Sequence, residues 1–172
     1  MIFNLNGEKS YLIHLELENA QSDINSMINF LVNKRKWSCI YICVNKSYKI
    51  IKKKFEKNGY NMEMFFFIDA IEEEPKEKIK NVHFVSSPSA LTKIALSINQ
   101  IIQQVQNKCF IFIDSLEELS IYNNPDILTK FIRSVIITAT KYDVKSLILT
   151  HGGEEALINN ISHLFDKIIK VD

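Results

Sequence analysis

Two carboxylates and a histidine stand directly behind apolar runs. "CFIFIDSLEEL" (109–119) carries five unbroken apolar residues into Asp114 and Ser115. "MFFFID" (64–69) does the same into Asp69, and "KSLILT" (145–150) leads into His151. A carboxylate delivered to the carboxyl end of a buried strand is placed to ligate Mg²⁺. Other chemistries find less support. His14, His83, His151 and His163 share no ligand-like spacing with one another or with a cysteine, which argues against zinc. No Ser-His-Asp or Cys-His arrangement follows from the spacing.

These groups need elements to position them. "YLIHLEL" (11–17), "WSCIYICV" (37–44), "MFFFID" (64–69), "CFIFID" (109–114), "KSLILT" (145–150) and "DKIIKVD" (166–172) read as strands, with "VHFVSS" (82–87) a short extended piece. Between them lie helical patterns at 22–35, 46–59, 88–107, 125–143 and 154–165. The first puts Ile24, Met27, Ile28, Leu31 and Val32 on one face. The second puts Ile50, Ile51 and Phe55 inward, its lysines outward, and stops at Asn58-Gly59. "AIEEEPKEKIKN" (70–81) is a charged connection. Strands apolar on both faces, alternating with helices, predict a mostly parallel sheet covered on both sides, a three-layer α/β/α domain spanning 1–172. Ligands of such sheets bind at the carboxyl ends of the strands, where Asp69, Asp114 and His151 fall.

Composition agrees with a soluble domain with a real core. The chain has 172 residues, 47% hydrophobic and 24% charged, with a formal net charge of +1. That balance offers no global attraction for nucleic acid or anionic membrane. The lysine run "KIIKKKFEK" (49–57) reads as a solvated helix face rather than a phosphate-binding one. Cys39 and Cys43 are four apart on a predicted strand, ~13 Å along it, too far for a disulfide. With Cys109 they read as buried free thiols in a reducing cytosol. No signal peptide and no run of ~20 apolar residues is present, so the expected location is cytoplasmic, without a membrane partner.

Four stretches in order, "FFFIDA" (65–70), "VHFVSSPSALTKIALSI" (82–98), "CFIFIDSLEEL" (109–119) and "LFDKIIKVD" (164–172), resemble a RecA-superfamily domain of the KaiC-like type common in archaea. The resemblance implies a RecA-like fold and, in active relatives, ATP bound with Mg²⁺. It makes Asp114 the counterpart of the Mg²⁺-binding Walker B acid. It also makes His151 a position where relatives carry a phosphate-sensing residue, although a solvent-exposed loop histidine is the simpler expectation. For Asp114 the simpler expectation is a structural acid that caps the turn "SLEELS" or hydrogen-bonds the empty loop. Asp69 and Asp166 read as structural acids.

Two parts of the hydrolytic machinery are missing. The family's phosphate loop follows the first strand, here "ELENAQSDINS" (16–26), which has neither Gly nor Lys. A P-loop needs both, Gly to turn backbone amides inward and Lys to neutralise phosphate. Ala20 and Gln21 would enter a left-handed conformation at ~1–2 kcal/mol each. Glu16, Glu18 and Asp23 would repel a triphosphate; one like-charge pair at ~4 Å costs about 4 kcal/mol at an effective dielectric of ~20. "NGEKS" (6–10) precedes the first strand and is a turn. After the second strand, where the family places a water-activating glutamate, stand Asn45 and Lys46, neither a competent base at pH 7.

The sequence therefore assigns no catalytic residue. Ser26, Asp114 and Ser115 form at best a vestigial cofactor-binding set, with Asp114 a metal ligand only if a Mg-nucleotide binds. The expected role is a non-catalytic, protein-binding or regulatory module without a cofactor, self-associating or paired with an active RecA/KaiC-like relative. The alternatives are an ATPase with a noncanonical phosphate loop, completed by a partner, and a DNA-binding recombinase-like accessory protein.

Overall fold

A computed structural model describes residues 5, 7–15, 20–152 and 155–171. The strands are β1 (Ser10–Leu15), β2 (Ser38–Cys43), β3 (Phe65–Asp69), β4 (Val82–Phe84), β5 (Cys109–Ile113), β6 (Lys145–Thr150) and β7 (Lys167–Val171). The helices are α1 (Ala20–Asn29), prolonged by a π-helical stretch Phe30–Lys34, α2 (Tyr48–Lys57), α3 (Leu91–Gln104), α4 (Leu116–Tyr122), α5 (Pro125–Lys141) and α6 (Glu155–Ser162). One seven-stranded sheet runs in the order β4-β3-β2-β5-β6-β1-β7. Every strand pair in it is parallel.

Chain direction decides which face each helix covers. From β1 through β2 and β3 to β4 the chain travels one way across the sheet; from β4 through β5 and β6 to β7 it returns. Right-handed crossovers then put outward and returning helices on opposite faces. Accordingly Ile24, Ile28, Ile51 and Phe55 of α1 and α2 share one core. Ile94, Ile98, Ile132 and Leu157 of α3, α5 and α6 share the other.

The unbroken apolar strands are resolved by the pleat, which sends alternate side chains to opposite faces. In β5, Phe110 and Phe112 enter the α1/α2 core, while Ile111 and Ile113 enter the α3/α5/α6 core. In β2, Tyr41 lies with the first set and Ile40 and Ile42 with the second. One face is thus rich in aromatic rings and the other mainly aliphatic. The rings touch at preferred separations, Tyr41–Phe112 centroids at 5.2 Å and Phe55–Phe65 at 4.9 Å. Cys39, Cys43 and Cys109 are buried free thiols.

Three sequence expectations are corrected. Ile50 does not point inward but is 57% exposed, because the buried stripe of α2 is Tyr48, Ile51 and Phe55. Helix α3 begins at Leu91 rather than beside Pro88, since Ser87 and Ser89 form a hydroxyl-bonded turn ahead of it. "SLEELS" is not a turn but belongs to helix α4. The Asn58-Gly59 stop holds, with Gly59 at φ +74 just past α2.

Candidate functional site

Strands β2 and β5 are hydrogen-bonded neighbours, yet the chain leaves them in opposite directions and over opposite faces. Such a switch point opens a crevice above the carboxyl ends of the two strands. A cavity of about 230 Å³ lies there, lined by Tyr41, Lys46, Lys54, Asp114, Glu118 and His151 among others.

Asp114 follows β5 and is drawn to two partners. The Tyr41 hydroxyl, rising from β2, donates to its Oδ2 at 3.2 Å. Its Oδ1 lies 3.8 Å from His151 Nε2. Burial, reinforced by the neighbouring Asp114 charge, pushes the Tyr41 phenol well above its ordinary pKa, so it remains a proton donor. Neither partner belongs to α4, so the expected cap on that helix is replaced by contacts across the crevice; the N-cap is Ser115, which is buried. The Asp114–Ser115 peptide is cis.

His151 is not the solvent-exposed loop histidine that the sequence suggests, for its side chain is only 23% exposed. Glu117 in the first turn of α4 explains this. It accepts hydrogen bonds from the Thr150 hydroxyl and, at 3.0 Å, from the His151 backbone N–H. Those bonds fix the backbone at the end of β6, from which the imidazole faces Asp114. Burial opposes ionisation of Glu117, but the Thr150 hydroxyl and the backbone donors outweigh it and keep the carboxyl below its ordinary pKa. Glu118, one residue on, accepts from Asn45 Nδ2 at 2.9 Å and ties α4 to the end of β2.

The polar contact with Asp114 raises the His151 pKa above its ordinary value against the opposing effect of burial, and Glu117 and Glu118 add to the rise. The folded imidazolium is therefore favoured relative to the unfolded one. Its stabilisation is full below about pH 6.5 and fades as pH rises through the folded pKa. An NMR titration of the imidazole is expected to show a midpoint above 6.5, and Asp114→Asn to bring it down. A midpoint unmoved by that substitution would detach His151 from Asp114.

The other singled-out residues lie elsewhere. Ser26 sits six positions into α1, exposed to solvent, and is not among the crevice residues; Ile24 of the same helix is. Residues 16–19 of the loop read as glycine-free fall outside the described residues. Asp69 is fully buried and accepts from the backbone N–H groups of Tyr48, Ile71 and Glu72. Asp166 ties down the start of β1 through Ser10 and Lys9, at the opposite edge of the sheet. Of "NGEKS", Lys9 pairs with Asp143 and Ser10 opens β1.

A family whose description is "Family of unknown function (DUF7090)" matches residues 40–172. The chain belongs to that family. The match takes in β2 from Ile40 on, β5, β6 and every polar crevice residue named above. No curated protein matches the chain. Among solved structures, the crystal structure of the KaiC-like protein PH0186 from the hyperthermophilic archaeon Pyrococcus horikoshii OT3 is similar, with a TM-score of 0.66 and 8% identity. The similarity covers 95% of this chain and 71% of that one. At that identity it speaks for the fold, and the DUF7090 chain has the RecA-like α/β architecture of its KaiC-like neighbour. Among the described residues no helix is long and apolar enough to cross a membrane.

Sequence reading of this DUF7090 domain found Asp114 and His151 but missed Tyr41, Glu117 and Glu118. Tyr41 carried a faint signal, a polar hydroxyl inside the otherwise apolar "IYICV" run. The two glutamates carried none, because a carboxylate in a short amphipathic helix ordinarily faces water.

Proposed function

We propose that this chain is a non-catalytic RecA/KaiC-like domain that serves as a protein-binding or regulatory module. The observation that carries the reading is in the sequence: the stretch after the first strand, ELENAQSDINS (16–26), has neither Gly nor Lys. A phosphate-cradling loop, G-x-x-x-x-G-K-[ST], needs glycines to turn its amides inward and the Lys to neutralise phosphate, with its Ser/Thr directly after. Ser26 lies too far along α1 to supply the hydroxyl.

The crevice supports the same reading. Asn45, where a water-activating carboxylate would stand, is engaged with Glu118. Asp114, where a Mg²⁺ ligand would stand, faces the Tyr41 hydroxyl and the His151 ring. A hydroxyl donor and a histidine of raised pKa are poor company for a divalent cation, so the donor set does not fit Mg²⁺-nucleotide. The cavity is also smaller than the ~300–1,000 Å³ of drug-sized ligand sites.

Isothermal titration of the chain with Mg-ATP is expected to give no saturable heat in the micromolar range. Saturable binding would instead favour the nucleotide-binding reading, with a partner supplying the missing cation. Light scattering addresses the other half of the proposal: a particle mass above that of one chain, or a complex with an active relative, is the expected result.

A further inference from the structure

The charges lining the β2–β5 crevice are not equally satisfied. Its carboxylates have partners, Asp114 in Tyr41 and His151, Glu118 in Asn45. Its ammonium groups, Lys46 and Lys54, line the same cavity and have no hydrogen bond or ion pair among the described residues. Two other lysines of α2 do not line the cavity and are occupied, Lys49 with Glu72 at 2.8 Å and Lys52 with Glu56 at 3.8 Å. Lys54 is half-buried. Burial first, and then the charge of Lys46, depress its pKa, with Asp114 opposing. Lys46 and Lys54 are thus like charges lining one recess, while its carboxylates, Asp114 and Glu118, are held by Tyr41, His151 and Asn45.

The recess is also two-sided. Tyr41, Ile51 and Phe55 give it apolar walls below the lysines. A cavity of about 230 Å³ leaves room for a small ligand. We propose that the β2–β5 crevice binds a small organic oxyanion, its carboxylate or phosphate head between Lys46 and Lys54 and its apolar body against Tyr41 and Phe55. An ammonium contributes charge-assisted hydrogen bonds to such a head, and the walls desolvate the rest. The inference is independent of the loss of ATP hydrolysis, since the lysines belong to β2–α2 and not to the β1–α1 loop.

The test titrates the full chain with phenyl phosphate, with benzoate and with inorganic phosphate, read by calorimetry and by amide shifts in the NMR spectrum. Saturable binding of phenyl phosphate or benzoate is expected, with shifts centred on Tyr41, Lys54 and Phe55; whichever binds more tightly identifies the head. Inorganic phosphate, lacking the apolar body, should bind more weakly. Lys54→Met and Lys46→Met should each weaken binding by about tenfold or more, the scale of one lost charge-assisted hydrogen bond. Lys54→Arg should retain it, and Lys53→Met, on the exposed side of α2, should leave it unchanged. Both Met variants replace surface-reaching amines, and unchanged thermal unfolding verifies that they fold. Absence of saturable binding to either organic anion, or binding indifferent to both Met variants, overturns the proposal. Mg-ATP binding would overturn the functional reading above and leave this one standing.

Discussion

Asp69→Ala is expected to cost the fold at least ~3 kcal/mol, visible as a large drop in the urea midpoint. The carboxylate has no exposed surface and accepts three backbone N–H groups, from Tyr48 at 2.7 Å, Ile71 at 2.7 Å and Glu72 at 3.0 Å. Tyr48 opens α2, whereas Ile71 and Glu72 open the connection beyond β3. One side chain therefore joins a helix start to a strand exit. Alanine would strand all three donors, and each buried unsatisfied group costs ~1–3 kcal/mol. Asp69→Asn keeps an acceptor oxygen and the bulk, so a smaller loss is expected. A loss below ~1 kcal/mol for the alanine variant would mean that water reaches these amides and that the acid is not structural.

Phe112→Ala should be as damaging, by about 3–5 kcal/mol, through a cavity in the aromatic core. Phe112 is fully buried on β5 and packs against Tyr41 with centroids 5.2 Å apart. Against a typical total stability of ~5–15 kcal/mol, that is a third or more for many domains. The same variant has a second readout. Tyr41 loses the ring that fixes it, so its hydroxyl should hold Asp114 less firmly and the His151 titration should shift. Phe112→Leu fills most of the volume, and a loss of under ~1.5 kcal/mol is expected. Equal losses for Ala and Leu would show that ring packing, rather than volume, sets the cost.

The elements of this fold are legible in the sequence because each carries a local signal. Apolar runs mark β2, β3, β5 and β6, and Asn58-Gly59 marks the end of α2. Parallel pairing follows from the intervening helices and from strands apolar on both faces. Strand order does not follow, since nothing in β2 records that β5 rather than β1 lies beside it. Helix α4 was hidden because seven residues give too little periodicity to separate a helix from a turn. Ile50 was misplaced because adjacent apolar residues on a helix differ by ~100° in direction and only one can face the core.

The site was legible in part. Asp114 and His151 could be placed on the carboxyl edge from their position after strands. Their meeting could not, because it depends on β5 and β6 being neighbours and on Glu117 holding the His151 backbone N–H. Lys54 offered no cue, as one lysine in a run of them; only its place in the cavity lining singles it out.

The opposed exits of β2 and β5 also bear on how such a protein can change over time. The groups at the rim hang from short segments beyond the last ladder bonds, while the two cores lie beneath, on either side of the sheet. Replacing a rim residue leaves the register and the packed interior almost untouched. The chemistry at the summit of the sheet can then be exchanged while its foundations stay put.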